Sequence, residues 1–229
     1  VPHAADTDGR WVGRAMSRRC SNRILLSILT LLFLALGALY GVTTPIFEAP
    51  DEVWHFAHIH YVAQRLDLPV QGARQGEEAA HQEASQPPLY YLLAAGIVRA
   101  IDASDAAAFS RLNPHAAPGL PHSDGNKNMV IPRPAPFPWS GAALAVYMTR
   151  LFSLLLGLVT VLATYAAAAR IWNDGKGSAS LPLITAALVA FNPQFLFISA
   201  SINNDNIMTA LAALAFLAVL SLARQQRLP

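Results

Sequence analysis

Pro88-Leu-Tyr-Tyr-Leu-Leu-Ala-Ala-Gly-Ile-Val-Arg-Ala-Ile101 is the stretch whose reading decides the fold. It is a sustained apolar run of about 14 residues, where a helix crossing a bilayer needs roughly 20. Arg99 lies near its end, and a charged side chain is costly at membrane depth. The run therefore reads as an interfacial or re-entrant helix over about 88–101 rather than a span. If it does not cross, the basic ends of the chain all fall on one side of the membrane. If it crosses, Arg224 and Arg227 move to the opposite side, against the rule that positive flanks stay in the cytoplasm.

Four other segments are long and apolar enough to cross: about 24–43, 142–169, 181–201 and 207–223. The arginines at 10, 14, 18, 19 and 23 hold the first of them with its N-terminus in the cytoplasm. Residues 1–23 read as a basic tail, disordered or interfacial, and too polar for a span. A signal peptide is the competing reading of that start, but 24–42 is too long for its apolar region and no clean cleavage site follows. The resulting order places 44–141 and 202–206 outside, with 170–180 and the C-terminus inside. The expected fold class is all-α, a polytopic bundle whose outer loop carries juxtamembrane helices over about 50–66 and 88–101.

Composition agrees. Of 229 residues, 54% are hydrophobic and only 13% charged, against roughly a quarter charged in soluble domains. A net charge of +2 is too small to direct the chain to nucleic acid. Cys20 is the one cysteine, so no internal disulfide framework exists. The start without Met, with Met16 downstream, and the stop at Pro229 just after an apolar run read as a fragment of a longer chain. The expected location is a bacterial inner membrane.

The outer loop concentrates the chemistry. Glu48-Ala-Pro-Asp-Glu-Val-Trp-His-Phe-Ala-His-Ile-His60 holds two adjacent carboxylates and three histidines. Pro50 suits a first helical turn, and Asp51 and Glu52 suit the positive end of the helix dipole. Asp51 and His55 are four apart and share a face, with His58 three further on. The plain alternative is a solvated amphipathic helix with acids at its N-terminus. The topology also brings Gln86-Pro87-Pro88, Asn126-Lys127-Asn128 and Asn203-Asn204-Asp205-Asn206 to the outer side, with Arg150 a few residues inside its span. Each has a bland reading too: a snorkelling arginine, a polar turn between helices, interfacial aromatics at Tyr90 and Tyr91. Together they suit a lipid-linked phosphate donor, since arginine's fork matches phosphate oxygens and a carboxylate can deprotonate a hydroxyl.

On these residues the chain resembles the GT-C superfamily of membrane glycosyltransferases that use polyprenyl-phosphate sugars. It is similar to protein O-mannosyltransferases and aminoarabinose transferases, and closest to a related bacterial membrane family of unassigned function. The shared pattern is Pro-Asp-Glu-x-x-His at 50–55, Gln-Pro-Pro-Leu-Tyr-Tyr at 86–91, Asn-Lys-Asn at 126–128, Arg-Leu at 150–151 and Asn-Asn-Asp at 203–205. The resemblance covers about 24–223. It implies inverting transfer of a sugar from the lipid-linked donor to an acceptor hydroxyl on the outer face. Asp51 would be the general base, with Glu52 and His55 supporting it or binding acceptor. His55, Gln86, Tyr90, Asn126, Lys127, Asn128, Asn204 and Asp205 would line the substrates, and Arg150 would face the donor phosphate. Gln86 stands where the named relatives carry lysine or histidine, and those families run to many more spans than four.

Two other classes compete. Asp51, His55 and His58 have a spacing that could hold a divalent metal, although no HExxH arrangement is present. The Asn192-Pro193 break and Arg150 could instead line the path of a transporter or belong to a non-catalytic envelope assembly protein. No cofactor is expected beyond the lipid-linked sugar phosphate, with a divalent metal left open. The sugar and acceptor are not legible.

Overall fold

A computed structural model describes residues 7–71, 78–117, 121, 124–172 and 180–225, without the side chains of 7–20, 78, 79 and 81. Among them the regular structure is helical, with two isolated β-bridges and no strand. The order is α1 (Thr7–Thr43), α2 (Glu52–Arg65), a 3-10 helix (Glu78–Ser85), α3 (Leu89–Arg99), α4 (Ala106–Phe109), α5 (Gly141–Trp172), α6 (Leu181–Ala190), α7 (Pro193–Ser199) and α8 (Asp205–Gln225).

Three segments are long and apolar enough to cross a membrane: Ser21–Thr43, Gly141–Trp172 and Asp205–Gln225. The central helix is α5, which touches α1, α3, α4, α6, α7 and α8. Its 32 residues make a rod of about 48 Å at 1.5 Å per residue. Glycines let its neighbours come close. A Cβ on Gly157 would lie 2.6 Å from the Ser199 hydroxyl, and one on Gly37 would meet Leu154. The core at this level joins Leu29, Phe33, Leu154, Val161, Ala186 and Leu196 from four helices. Outside it, α1 and α8 turn leucines outward, as a helix facing hydrocarbon does.

Two segments gain detail here. The segment 181–201, read with a break at Asn192-Pro193, is the pair α6 and α7, bent by 64° and long enough together to count as one broken span. Pro193 cannot donate to the preceding turn, and Asn192 starts the new helix by accepting from the N–H groups of Gln194 and Phe195. The basic tail is helical from Thr7 onward. Its arginines are good helix formers, and extending an existing helix avoids the cost of nucleating one. Residues 1–6 lie outside the described part.

The run at 88–101 forms an 11-residue helix, about 16 Å long and too short to cross. Tyr90, Tyr91, Ala94, Ala95 and Val98 face the protein, while Leu89, Leu92 and Leu93 are exposed. That division is the amphipathic pattern of an interfacial helix. The second main core binds α2 and α3 to the Gly141 end of α5 through Phe47, Ile59, Tyr90, Val146 and Ile202. Residues 44–141 and 202–206 thus meet at one end of the bundle. Arg170 donating to Ser221, and Arg224 to the Ile171 carbonyl, mark the opposite end.

Candidate active site

Glu52 and Arg150 anchor the site. Glu52 is fully buried and Arg150 is 2% exposed. The guanidinium grips the carboxylate through Nε to Oε1 at 2.8 Å and Nη2 to Oε2 at 2.5 Å. The other arginine hydrogens go to the carbonyls of Gly41, Thr44 and Pro45. The carboxylate also accepts from the Phe47 and Ile202 amides, both at 3.0 Å. A guanidinium has five N–H donors and a carboxylate about four lone-pair positions, so both groups are saturated. Every N–H of Arg150 and every lone-pair position of Glu52 is thus engaged within the protein. Their task is to tie the ends of α1, α2 and α7 to α5.

The same tie reshapes the start of α2. Holding Glu52 against the Phe47 amide folds 45–52 into tight turns, with Glu48 N–H donating to Pro45 and Glu52 N–H to Ala49. Phe47 and Asp51 take the left-handed backbone at φ 66° and 56°. Pro50 therefore precedes the helix instead of opening it, and Asp51 is the N-cap residue, its side chain making no cap bond. Asp51 is exposed, and Asp is one of the few L-residues that tolerates this conformation.

Behind Asp51 lies a buried polar knot. His55 Nδ1 is 2.9 Å from the Tyr91 hydroxyl and 3.3 Å from Glu83 Oε2. The Tyr91 hydroxyl donates to Glu83 Oε2 at 3.4 Å, and the His58 ring stacks on Tyr91 with centroids 3.7 Å apart. His58 Nδ1 meets the Glu83 carbonyl at 2.9 Å. A carbonyl only accepts, so this nitrogen carries the proton and Nε2 is left as a buried acceptor without a partner among the described residues. Burial, and then the nearby His58, lowers the His55 pKa to about 4. Its approach to Glu83 is thus a contact of a neutral imidazole rather than an ion pair at neutral pH. Burial raises the Glu83 carboxyl, and the charges of Asp51 and Asp205 push it further in the same direction.

Around this knot stand most of the residues singled out in the sequence. Asn204 Nδ2 donates to Gln86 Oε1 at 3.3 Å, joining the approach to α3 to the turn before α8. Asp205 is exposed at the start of α8, its amide donating to Asn203 Oδ1. Tyr90 is fully buried and its hydroxyl is 2.7 Å from Ser153 Oγ on α5. The motif at 126–128 is exposed and bonds locally: Lys127 Nζ to the Ala117 carbonyl, Asn113 Nδ2 to the Asn128 carbonyl. Glu48 accepts from the amides of Met129 and Val130, which tethers that segment three residues from Asp51. Glu83 was not foreseen. It sits in a polar stretch without periodicity, and its only sequence signal is its place three residues before Gln86-Pro87-Pro88.

An apolar groove of about 190 Å³ runs between α1 and α5, walled by Gly37, Gly41, Met148, Leu151 and Leu154, with Arg150 contributing. Among the described residues no three His, Cys, Asp or Glu side chains gather as a metal site requires. Comparison with protein-family models, with curated proteins and with solved structures finds no match to this chain.

Proposed function

We propose that the chain carries the catalytic end of a membrane glycosyltransferase of GT-C type, using a polyprenyl-phosphate sugar. Asp51 is the general base. The acceptor oxygen bonds to the anomeric carbon as the bond from that carbon to the phosphate oxygen breaks. The hydroxyl proton passes to the Asp51 carboxylate, and the electron pair leaves with the polyprenyl phosphate. The polyprenyl chain lies in the groove between α1 and α5, and the site faces the extracytoplasmic side, a reading that the positive-inside rule supports through the basic ends of the helices.

The observation that carries the reading is the position of Asp51. It is an exposed carboxylate on a left-handed backbone, directly before a residue locked in a saturated buried ion pair. Its partner in the lock, Arg150, contributes to an apolar groove. Such a position is rigid at its base and open at its tip, as a catalytic carboxylate needs. The Gln86–Asn204 bond supplies further polar groups, and the charges of Asp51 and Asp205 both reach Glu83. The test is transfer from polyprenyl-phosphate sugars in membranes containing the full-length protein. Loss of transfer in Asp51→Asn with normal protein level supports the reading; retained transfer removes it.

One observation favours a transporter instead. The 64° break between α6 and α7, with the buried Ser199 hydroxyl at the far end of α7 unpartnered among the described residues, resembles the broken helices that line transport paths. Substrate flux in proteoliposomes without chemical change would select that reading.

A further inference from the structure

A second cleft lies on the face of α2 away from the ion pair. It has a volume of about 240 Å³ and is bounded by Phe56, His60, Tyr61 and Gln64 on α2 and by Ser104 and Ser110 around α4. A neighbouring hollow of about 190 Å³ shares His60, Gln64 and Ser104 and continues to Arg99 and Asp102. The two form one trough with His60 and Gln64 at its saddle. That saddle is held in place, since Gln64 Nε2 is 3.1 Å from His60 Nε2. The Phe56 and His60 rings lie nearly parallel at 14°, with Phe56 buried and His60 and Tyr61 partly exposed at the wall.

We infer that this trough binds an uncharged carbohydrate chain, one sugar in the cleft and the next across the saddle. Aromatic rings beside hydroxyl, amide and imidazole groups match a sugar's apolar C–H face and its hydroxyl edge. Among the described residues no charged side chain lines the larger cleft, which argues against phosphates and nucleotides. In the smaller hollow Arg99 donates to the Ala63 carbonyl and sits with Asp102. A peptide is disfavoured because the described residues offer no sheet edge for an extended chain to join. As the place where a glycan acceptor is held, the trough rests on the transferase reading; as a binding site it stands alone.

The experiment is saturation-transfer NMR on the full chain in lipid nanodiscs, with glucose, N-acetylglucosamine and chitotetraose as probes. Saturation of sugar C–H protons is expected, stronger for chitotetraose, and at least fivefold weaker in Tyr61→Ser and Gln64→Ala. Ala107→Trp fills the cleft from an exposed position and decides the matter if Tyr61→Ser does not fold. Asp51→Asn leaves the signal unchanged while removing transfer, so failure of the catalytic reading and failure of the trough are distinguishable. Absence of signal, equal signal in Ala107→Trp, or binding of a Pro-rich peptide in place of the sugars overturns the inference.

Discussion

Glu52 and Arg150, 98 residues apart, meet as a two-point fork with both groups buried. Removing one partner strands a buried charge, which costs about 3–5 kcal/mol. Glu52→Gln and Arg150→Ala should each lower thermal stability in detergent by that order. Arg150→Lys should not rescue, because an ammonium has three donors and no planar fork. The double variant Glu52→Leu with Arg150→Met should be milder than either single change, since it leaves no lone charge. A double variant as unstable as the sum of the singles would mean the pair is not coupled.

Asp51 separates activity from stability. Its left-handed backbone favours glycine, but glycine also loosens the unfolded chain, so Asp51→Gly should change stability little. Asp51→Asn keeps the conformation at little cost. Both should reduce transfer by about 10²–10⁴-fold if Asp51 is the base. Parallel measurement of melting and of transfer checks this, and a fall in both together would assign Asp51 to the fold.

The buried knot sets the acid limb of stability. His55 has its pKa lowered to about 4 in the folded chain, against about 6.5 when unfolded. Between those values the unfolded chain holds the extra proton. The contribution is therefore complete above pH 6.5 and is lost as pH falls toward 4, on the order of 3 kcal/mol in total. His58 is lowered in the same direction by burial. Glu83 acts oppositely, because its raised pKa favours the fold below the unfolded value and loses that contribution as pH rises through the folded one. Melting at pH 7 and pH 5 should show a drop for the native chain and a smaller drop for His55→Gln.

How far the sequence foretold this arrangement depends on the range of the interaction. Hydrophobic length and the flanking arginines identify α1, α5 and α8, and the 14-residue run identifies α3 as too short to cross. The break at Asn192-Pro193 was visible as a motif, but a 64° bend was not, because its size depends on how α7 seats against Gly157 and Phe33. Arg150 was legible as a costly charge needing a partner. Its choice of Glu52 over a ligand was not, since three of its five hydrogens go to backbone carbonyls that no sequence pattern marks. Glu83 was invisible for the same reason: its importance comes from α3 laying Tyr91 against it.

Two glycines test whether close helix approach holds the bundle together. Gly96 in α3 has open space where a Cβ would go, so Gly96→Ala should gain up to about 1 kcal/mol from helix propensity. At Gly157 the added carbon would stand 2.6 Å from Ser199 Oγ, 2.8 Å from Ser199 Cβ and 3.2 Å from Phe33 Cζ. Two of those distances lie below any real Cβ contact, and overpacking of this kind costs about 1–3 kcal/mol. Gly157→Ala should therefore destabilise although it improves propensity. Ser199→Ala keeps the offending Cβ and should rescue little, while Ser199→Gly removes both close atoms and should restore most of the loss. Melting of Gly157→Ala, Ser199→Ala, Ser199→Gly and the two double variants gives the coupling directly. If Gly157→Ala is tolerated without the second change, α7 is not seated against α5 as described.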